Sequence, residues 1–132
     1  MRAMSHRVLV LESDRLIKQL IVEWLYLAGH ETVCASDPAS AARVAGAGCD
    51  IMLADVPAPS KSAREAIALL TRAVPNTPII AMSADVLASG PRASAAVARE
   101  LGAAAMLVKP FSRDALLDAI DRARMHETAR HN

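Results

Sequence analysis

Aromatic side chains are scarce: one Trp, one Tyr and one Phe, 2 % of 132 residues. A core nearly without rings is aliphatic, and the many alanines favour helices around it. Cysteine is also rare. Cys34 and Cys49 lack CxxC spacing, which argues against a disulfide or a thiolate metal site and leaves free buried thiols as the expectation. No apolar run approaches the length of a membrane span. The stretch after Met1–Arg7 is too short for a secretory leader. A net charge of +1 gives no electrostatic ground for nucleic acid or an anionic membrane as partner. Neither a glycine-rich phosphate loop nor a nucleophile–histidine pair is visible, so a flavodoxin-like enzyme or cofactor carrier ranks last. A cytoplasmic protein with one core is expected, since 132 residues are too few for two ordinary domains.

What is present is alternation. Val8-Leu9-Val10-Leu11 is an aliphatic run that ends in Glu12-Ser13-Asp14. From Arg15 to Ala28, Leu16, Ile17, Leu20, Ile21, Trp24, Leu25 and Leu27 recur with helical period, Ser13 or Asp14 can cap the start, and Gly29 can close the end. His30–Ala35 fits a short edge strand, and Asp37-Pro38 opens a helix through Val44. Ile51–Ala54 is a strand buried on both faces that delivers Asp55, followed by a loop with Pro57, Pro59 and Ser60 and a helix over Ala63–Ala73. Ile79–Met82 leads to Ser83. The segment from Val86 to Arg92, with Ser89-Gly90-Pro91, is expected to be irregular before a helix from about Ala93 to Leu101. Ala104–Val108 is the last strand, stopped by Lys109-Pro110, and Ser112 caps a final helix with Leu116, Leu117, Ile120 and Ala123 inward. The core is expected over about 7–125, with a polar, fraying tail after Arg124. Five strand–helix pairs in strict order indicate a parallel sheet covered on both faces, one α/β domain over 1–132.

In such a sheet the strand ends converge at one edge. Glu12, Asp55, Ser83 and Lys109 then meet although they are far apart in sequence. Two carboxylates side by side repel unless a cation neutralises them. Lys109 and a divalent ion are the natural neutralisers, and Mg²⁺ prefers oxygen ligands. A carboxylate held this way can attack phosphorus.

Asp55 on the third strand, Ser83-Ala84 on the fourth and Gly102-Ala103 leading to Lys109-Pro110-Phe111 on the fifth resemble the receiver domain of two-component response regulators, the CheY-like family. The likeness runs from Val8 to about Arg124. It implies a flavodoxin-like fold, a (βα)5 three-layer sandwich with strand order 2-1-3-4-5. By matching position it implies Asp55 as phosphoacceptor, Ser83 and Lys109 as contacts of the phosphoryl group, and a cis peptide at Pro110. Mg²⁺ is implied on Glu12, Asp55 and the backbone carbonyl of Pro57, with Ser13 where the family carries a second acid. Pro59 matches the proline of the loop after the aspartate. The implied partners are a histidine kinase or phosphotransfer protein and a target bound through the face of the fourth helix, fifth strand and fifth helix. With the chain ending after its fifth helix, a stand-alone module in a phosphorelay is the expectation. A receiver that has lost phosphotransfer and acts as an interaction module is the alternative, motivated by Ser13 and the altered loops.

Other departures are Met106 at the aromatic switch position and Ala63 where glycine is usual. Asp14 reads better as a helix cap than as a metal ligand. Met106 reads as packing and Trp24 as a helix-face residue. His6, His30, His126 and His131 share no ligand spacing and are expected at the surface, and Arg122, Arg124 and Arg130 are expected to be solvated.

Overall fold

A computed structural model describes residues 5–56, 60–84 and 91–131, with backbone alone at 91–94 and 126–131. Five strands alternate with five helices: β1 (Arg7–Leu11), α1 (Arg15–Leu27), β2 (Glu31–Ala35), α2 (Pro38–Ala45), β3 (Ile51–Asp55), α3 (Lys61–Ala73), β4 (Ile79–Ser83), α4 (Pro91–Leu101), β5 (Ala105–Val108) and α5 (Arg113–His131). The strands are parallel in the order β2-β1-β3-β4-β5. The chain has the flavodoxin-like fold, with β3 flanked on both sides.

The aliphatic runs follow from that position. Leu9, Leu11, Met52 and Ala54 pack under α2 and α3 with Ala41, Ala45, Ile67 and Leu70. Val8, Val10, Ile51 and Leu53 pack under α1 and α5 with Ile21, Leu25, Leu116 and Ile120. Each fully buried large aliphatic side chain contributes about 1.5–3 kcal/mol. Ends are set locally. Asp14 caps α1, one carboxylate oxygen accepting the N–H groups of Leu16 and Ile17 at 3.0 Å each. Gly102 turns the chain from α4 toward β5 at φ +85°, a conformation that disfavours side chains.

Several expectations are corrected. Ser60 is the cap of α3, which starts at Lys61 rather than Ala63. Helix α4 starts at Pro91, the first helical position where proline's missing N–H costs nothing. The rest of the expected irregular segment, including Ser89 and Gly90, lies outside the described residues. The tail does not fray after Arg124: α5 runs to His131 through residues with no glycine or proline to stop it. Arg124 is anchored, Nη1 donating to the Asp50 carbonyl at 3.0 Å. Cys34, on the edge strand β2, is exposed, and Cys49, in the connection before β3, is half-buried.

His6 and His30 are buried, at 9 % exposure each, and not at the surface. The parallel register places Arg7 beside Glu31, so the residues before them also meet. Their rings stack with centroids 5.4 Å apart, and His30 Nδ1 accepts the His6 backbone N–H at 3.0 Å. Burial and then the charge of His6 lower the His30 pKa, and Asp121 only partly opposes them. The unfolded chain therefore takes the proton first. The stabilisation is complete above the ordinary value of about 6.5 and is lost as pH falls from there to the folded value. Urea unfolding at about pH 7.5 and 5.5, either side of that value, should show a larger loss in wild type than in His30→Gln. Equal losses would refute the assignment.

Candidate functional site

Each site residue sits where a strand runs out. Glu12 follows β1, Asp55 ends β3, Ser83 ends β4 and Lys109 follows β5. The ladders fix their relation: Asp55 is beside Met82, and Ser83 beside Val108. The backbone N–H of Lys109 donates to the Ser83 carbonyl at 3.0 Å, which extends the β4–β5 ladder one residue past the strand. The Lys109-Pro110 peptide is cis.

Lys109 is the centre of the group. Its Nζ donates to Glu12 Oε1 at 2.7 Å and to Asp55 Oδ1 at 2.8 Å. Burial alone would lower the ammonium's pKa. The hydrogen bonds and charges of Asp55 and Glu12 outweigh it and hold the group above the ordinary lysine value. The two carboxylates differ. Glu12 is 1 % exposed, and its second oxygen accepts the Asp14 backbone N–H at 3.0 Å. The Asp55 side chain keeps 29 % exposure, so it is the carboxylate a reactant can reach. Ser83 is buried at the same edge. The geometry thus brings Glu12, Asp55 and Lys109 into direct contact and sets Ser83 on the neighbouring strand end. Pro57 and Pro59 lie outside the described residues.

A cleft of about 100 Å³ beside Asp55 is lined by Leu11, Ser13, Ser36 and Pro38. Among the described residues no group of three or more His, Cys, Asp and Glu is placed to hold a metal ion. The donors facing the cleft are a carboxylate and hydroxyls, and Asp14 is spent on its helix. Such an all-oxygen set fits Mg²⁺, which is held by one or two carboxylates and keeps several waters.

One contributor was not found from sequence. Ser36 follows β2 at the same sheet edge, so the rule that located Glu12 and Asp55 would have found it. Trp24 lies on a half-buried face of α1, as expected of a helix-face residue, and its ring packs on Phe111, centroids 6.5 Å apart. Met106 is half-buried against the α2–α3 side of the core, in keeping with a packing role.

The response regulator receiver domain model matches residues 8–121. The response regulator protein FleR of Pseudomonas aeruginosa is 35 % identical over 121 residues, covering 90 % of this chain and 24 % of that protein. Among solved structures, Vibrio cholerae chemotaxis protein CheY4 superposes with a TM-score of 0.72 at 27 % identity, covering 92 % of this chain and 99 % of that one. NtrX from Brucella abortus in complex with ADP has a TM-score of 0.79 at 21 % identity, covering 97 % of this chain and 29 % of that one, a likeness of fold. The chain thus spans about a quarter of FleR. The match over nearly the whole chain and the acid–lysine edge agree: this chain belongs to the receiver-domain family of two-component response regulators.

Proposed function

We propose that Asp55 accepts a phosphoryl group from a phosphohistidine on a histidine kinase or phosphotransfer protein, and that the chain then signals by protein contact. The observation that carries this is Asp55 itself: a partly exposed carboxylate at a strand end with an ammonium 2.8 Å away. In the transfer, an Asp55 carboxylate oxygen forms the new bond to phosphorus as the P–N bond breaks. The bond's electron pair stays on the imidazole nitrogen, which then takes a proton. Lys109 pairs with Asp55 at 2.8 Å and stays beside the charge that builds on the phosphoryl oxygens. Ser83 supplies a hydroxyl to one of those oxygens. Mg²⁺, when bound, neutralises phosphoryl charge. Glu12, Asp55 and the Pro57 carbonyl would hold it, with the Ser13 hydroxyl where the family carries a second acid.

Receiver domains are signalling modules, and we read residues 1–132 as one such unit acting in the cytoplasm. No helix among the described residues is long and apolar enough to cross a membrane. The face of α4, β5 and α5 is the proposed target surface. Incubation with acetyl phosphate and Mg²⁺, followed by intact-mass measurement, tests the core of this reading. Wild type should gain one phosphoryl group and Asp55→Ala none. An unmodified wild type, or an equally modified variant, would overturn it.

A further inference from the structure

A Ser-Asp pair follows each of the first two strands, Ser13-Asp14 after β1 and Ser36-Asp37 after β2. Each aspartate is committed to the helix it precedes. Asp14 accepts the amides of Leu16 and Ile17, and one oxygen of Asp37 accepts the Ser40 amide at 2.8 Å. The two serines are uncommitted. The hydroxyls of Ser5, Ser40, Ser60, Ser62 and Ser112 all bond within the protein, and Ser83 is engaged too. Those of Ser13 and Ser36 have no partner among the described residues, and both line the cleft beside Asp55.

Sheet order sorts the groups at this edge. Leu11 is in register with Ala35 on one side and Ala54 on the other, so Ser36, Glu12 and Asp55 stand in step at their strand ends. Ser83 and Lys109 come from β4 and β5, on the far side of Asp55. What β1 and β2 bring is oxygen alone: the Glu12 carboxylate and the hydroxyls of Ser13 and Ser36. Oxygen donors suit a hard cation, and Mg²⁺ keeps several of its waters. A serine hydroxyl has lone pairs to accept from such a water, and groups that hold a metal's waters or ligands in place tune its affinity. At about 100 Å³ the cleft has room for more than one water.

We propose that Ser36 is a positioning residue for the cation of this site, its hydroxyl accepting a hydrogen bond from a water that Mg²⁺ carries. With Ser13 it supplies part of what a second acid would. Because both hydroxyls are neutral, they do so without repelling the phosphoryl group on Asp55. This rests on the reading of Asp55 as a Mg²⁺-assisted phosphoacceptor.

Titration of the whole chain with magnesium chloride, followed by amide NMR, tests the proposal. In wild type the Ser36 and Asp37 amides should shift along the same saturation curve as the Asp55 amide. Ser36→Ala should weaken Mg²⁺ binding about threefold, the scale of one hydrogen bond. Its melting temperature should not change, since the exposed hydroxyl has no protein partner to lose. Ser36→Thr keeps the hydroxyl and should stay within about twofold of wild type. Equal affinity in Ser36→Ala and wild type would overturn the proposal and leave the Asp55 site standing. An equal loss in both variants would also overturn it, because the hydroxyl would not be the cause. A wild type that binds no Mg²⁺ would overturn the metal site of the proposed function, and this inference with it.

Discussion

Lys109→Met should lose about 3–5 kcal/mol of folding stability, the usual cost of removing one partner from a buried ion pair. Glu12 sets this magnitude. At 1 % exposure it cannot recover water when the 2.7 Å contact with Nζ is gone, and only the Asp14 N–H remains on its other oxygen. Asp55 adds less, because its carboxylate keeps access to solvent. The double variant Glu12→Met/Lys109→Met should therefore be more stable than Lys109→Met alone, since no charge is left stranded. Urea unfolding of the four proteins in the cycle measures both statements. A single variant within about 1 kcal/mol of wild type would contradict the pairing as the cause. The same substitution should slow phosphoryl acceptance at least ~100-fold, the scale found when a charge-stabilising donor is removed from a reaction site. The raised Lys109 pKa adds an alkaline signature. Its stabilisation is complete below the unfolded value of about 10.4 and is lost as pH climbs through the folded value. Lys109→Met should lack that alkaline loss.

Ser13→Asp should strengthen Mg²⁺ binding by tenfold or more, or at least about 1.4 kcal/mol. Ser13 is exposed and lines the cleft beside Asp55, so the longer side chain meets no packing obstacle. A unit charge about 4 Å from another is worth ~4 kcal/mol at an effective dielectric near 20, and the ion is divalent. Displaced water and repulsion from Asp55 and Glu12 return part of this gain. The opposite sign is expected without metal. A third acid at this edge should cost the metal-free protein about 0.5–1 kcal/mol, the scale of exposed charge interactions. Calorimetric titration with Mg²⁺ and unfolding in chelator measure the two effects. An unchanged affinity would mean that position 13 does not face the ion.

The residues of the site were legible because they depend on topology alone. Any residue at the C-terminal end of a strand in a parallel sheet arrives at one edge, and Asp55, Glu12, Ser83 and Lys109 all stand at such ends. Register was not legible, and neither was anything that depends on it. His6 and His30 are 24 residues apart, and only the β1–β2 pairing puts one ring on the other. Arg124 looked like a tail residue because nothing local ties it to Asp50, 74 positions away. Periodicity also leaves burial in α1 undecided. It identified the helix from Leu16, Leu20 and Leu27 along with Ile21 and Leu25, yet a period does not tell a core-facing stripe from a solvent-facing one. Ser13 in place of an acid was visible from the start. The hydrogen bonding around it was not, and Asp14, the acid beside it, is committed to the helix.

Asp14 couples two parts of the molecule. Its backbone amide holds Glu12, while its carboxylate holds the amides of Leu16 and Ile17. These three amide protons therefore form a local gauge of the acidic edge. Any event that loosens Glu12 from Lys109, or tilts the first turn of α1, should speed their exchange with solvent deuterium ahead of the β3 amides, which open only with the sheet. The chain thus carries a reporter of its site's state in the backbone of its first helical turn, readable without substitution.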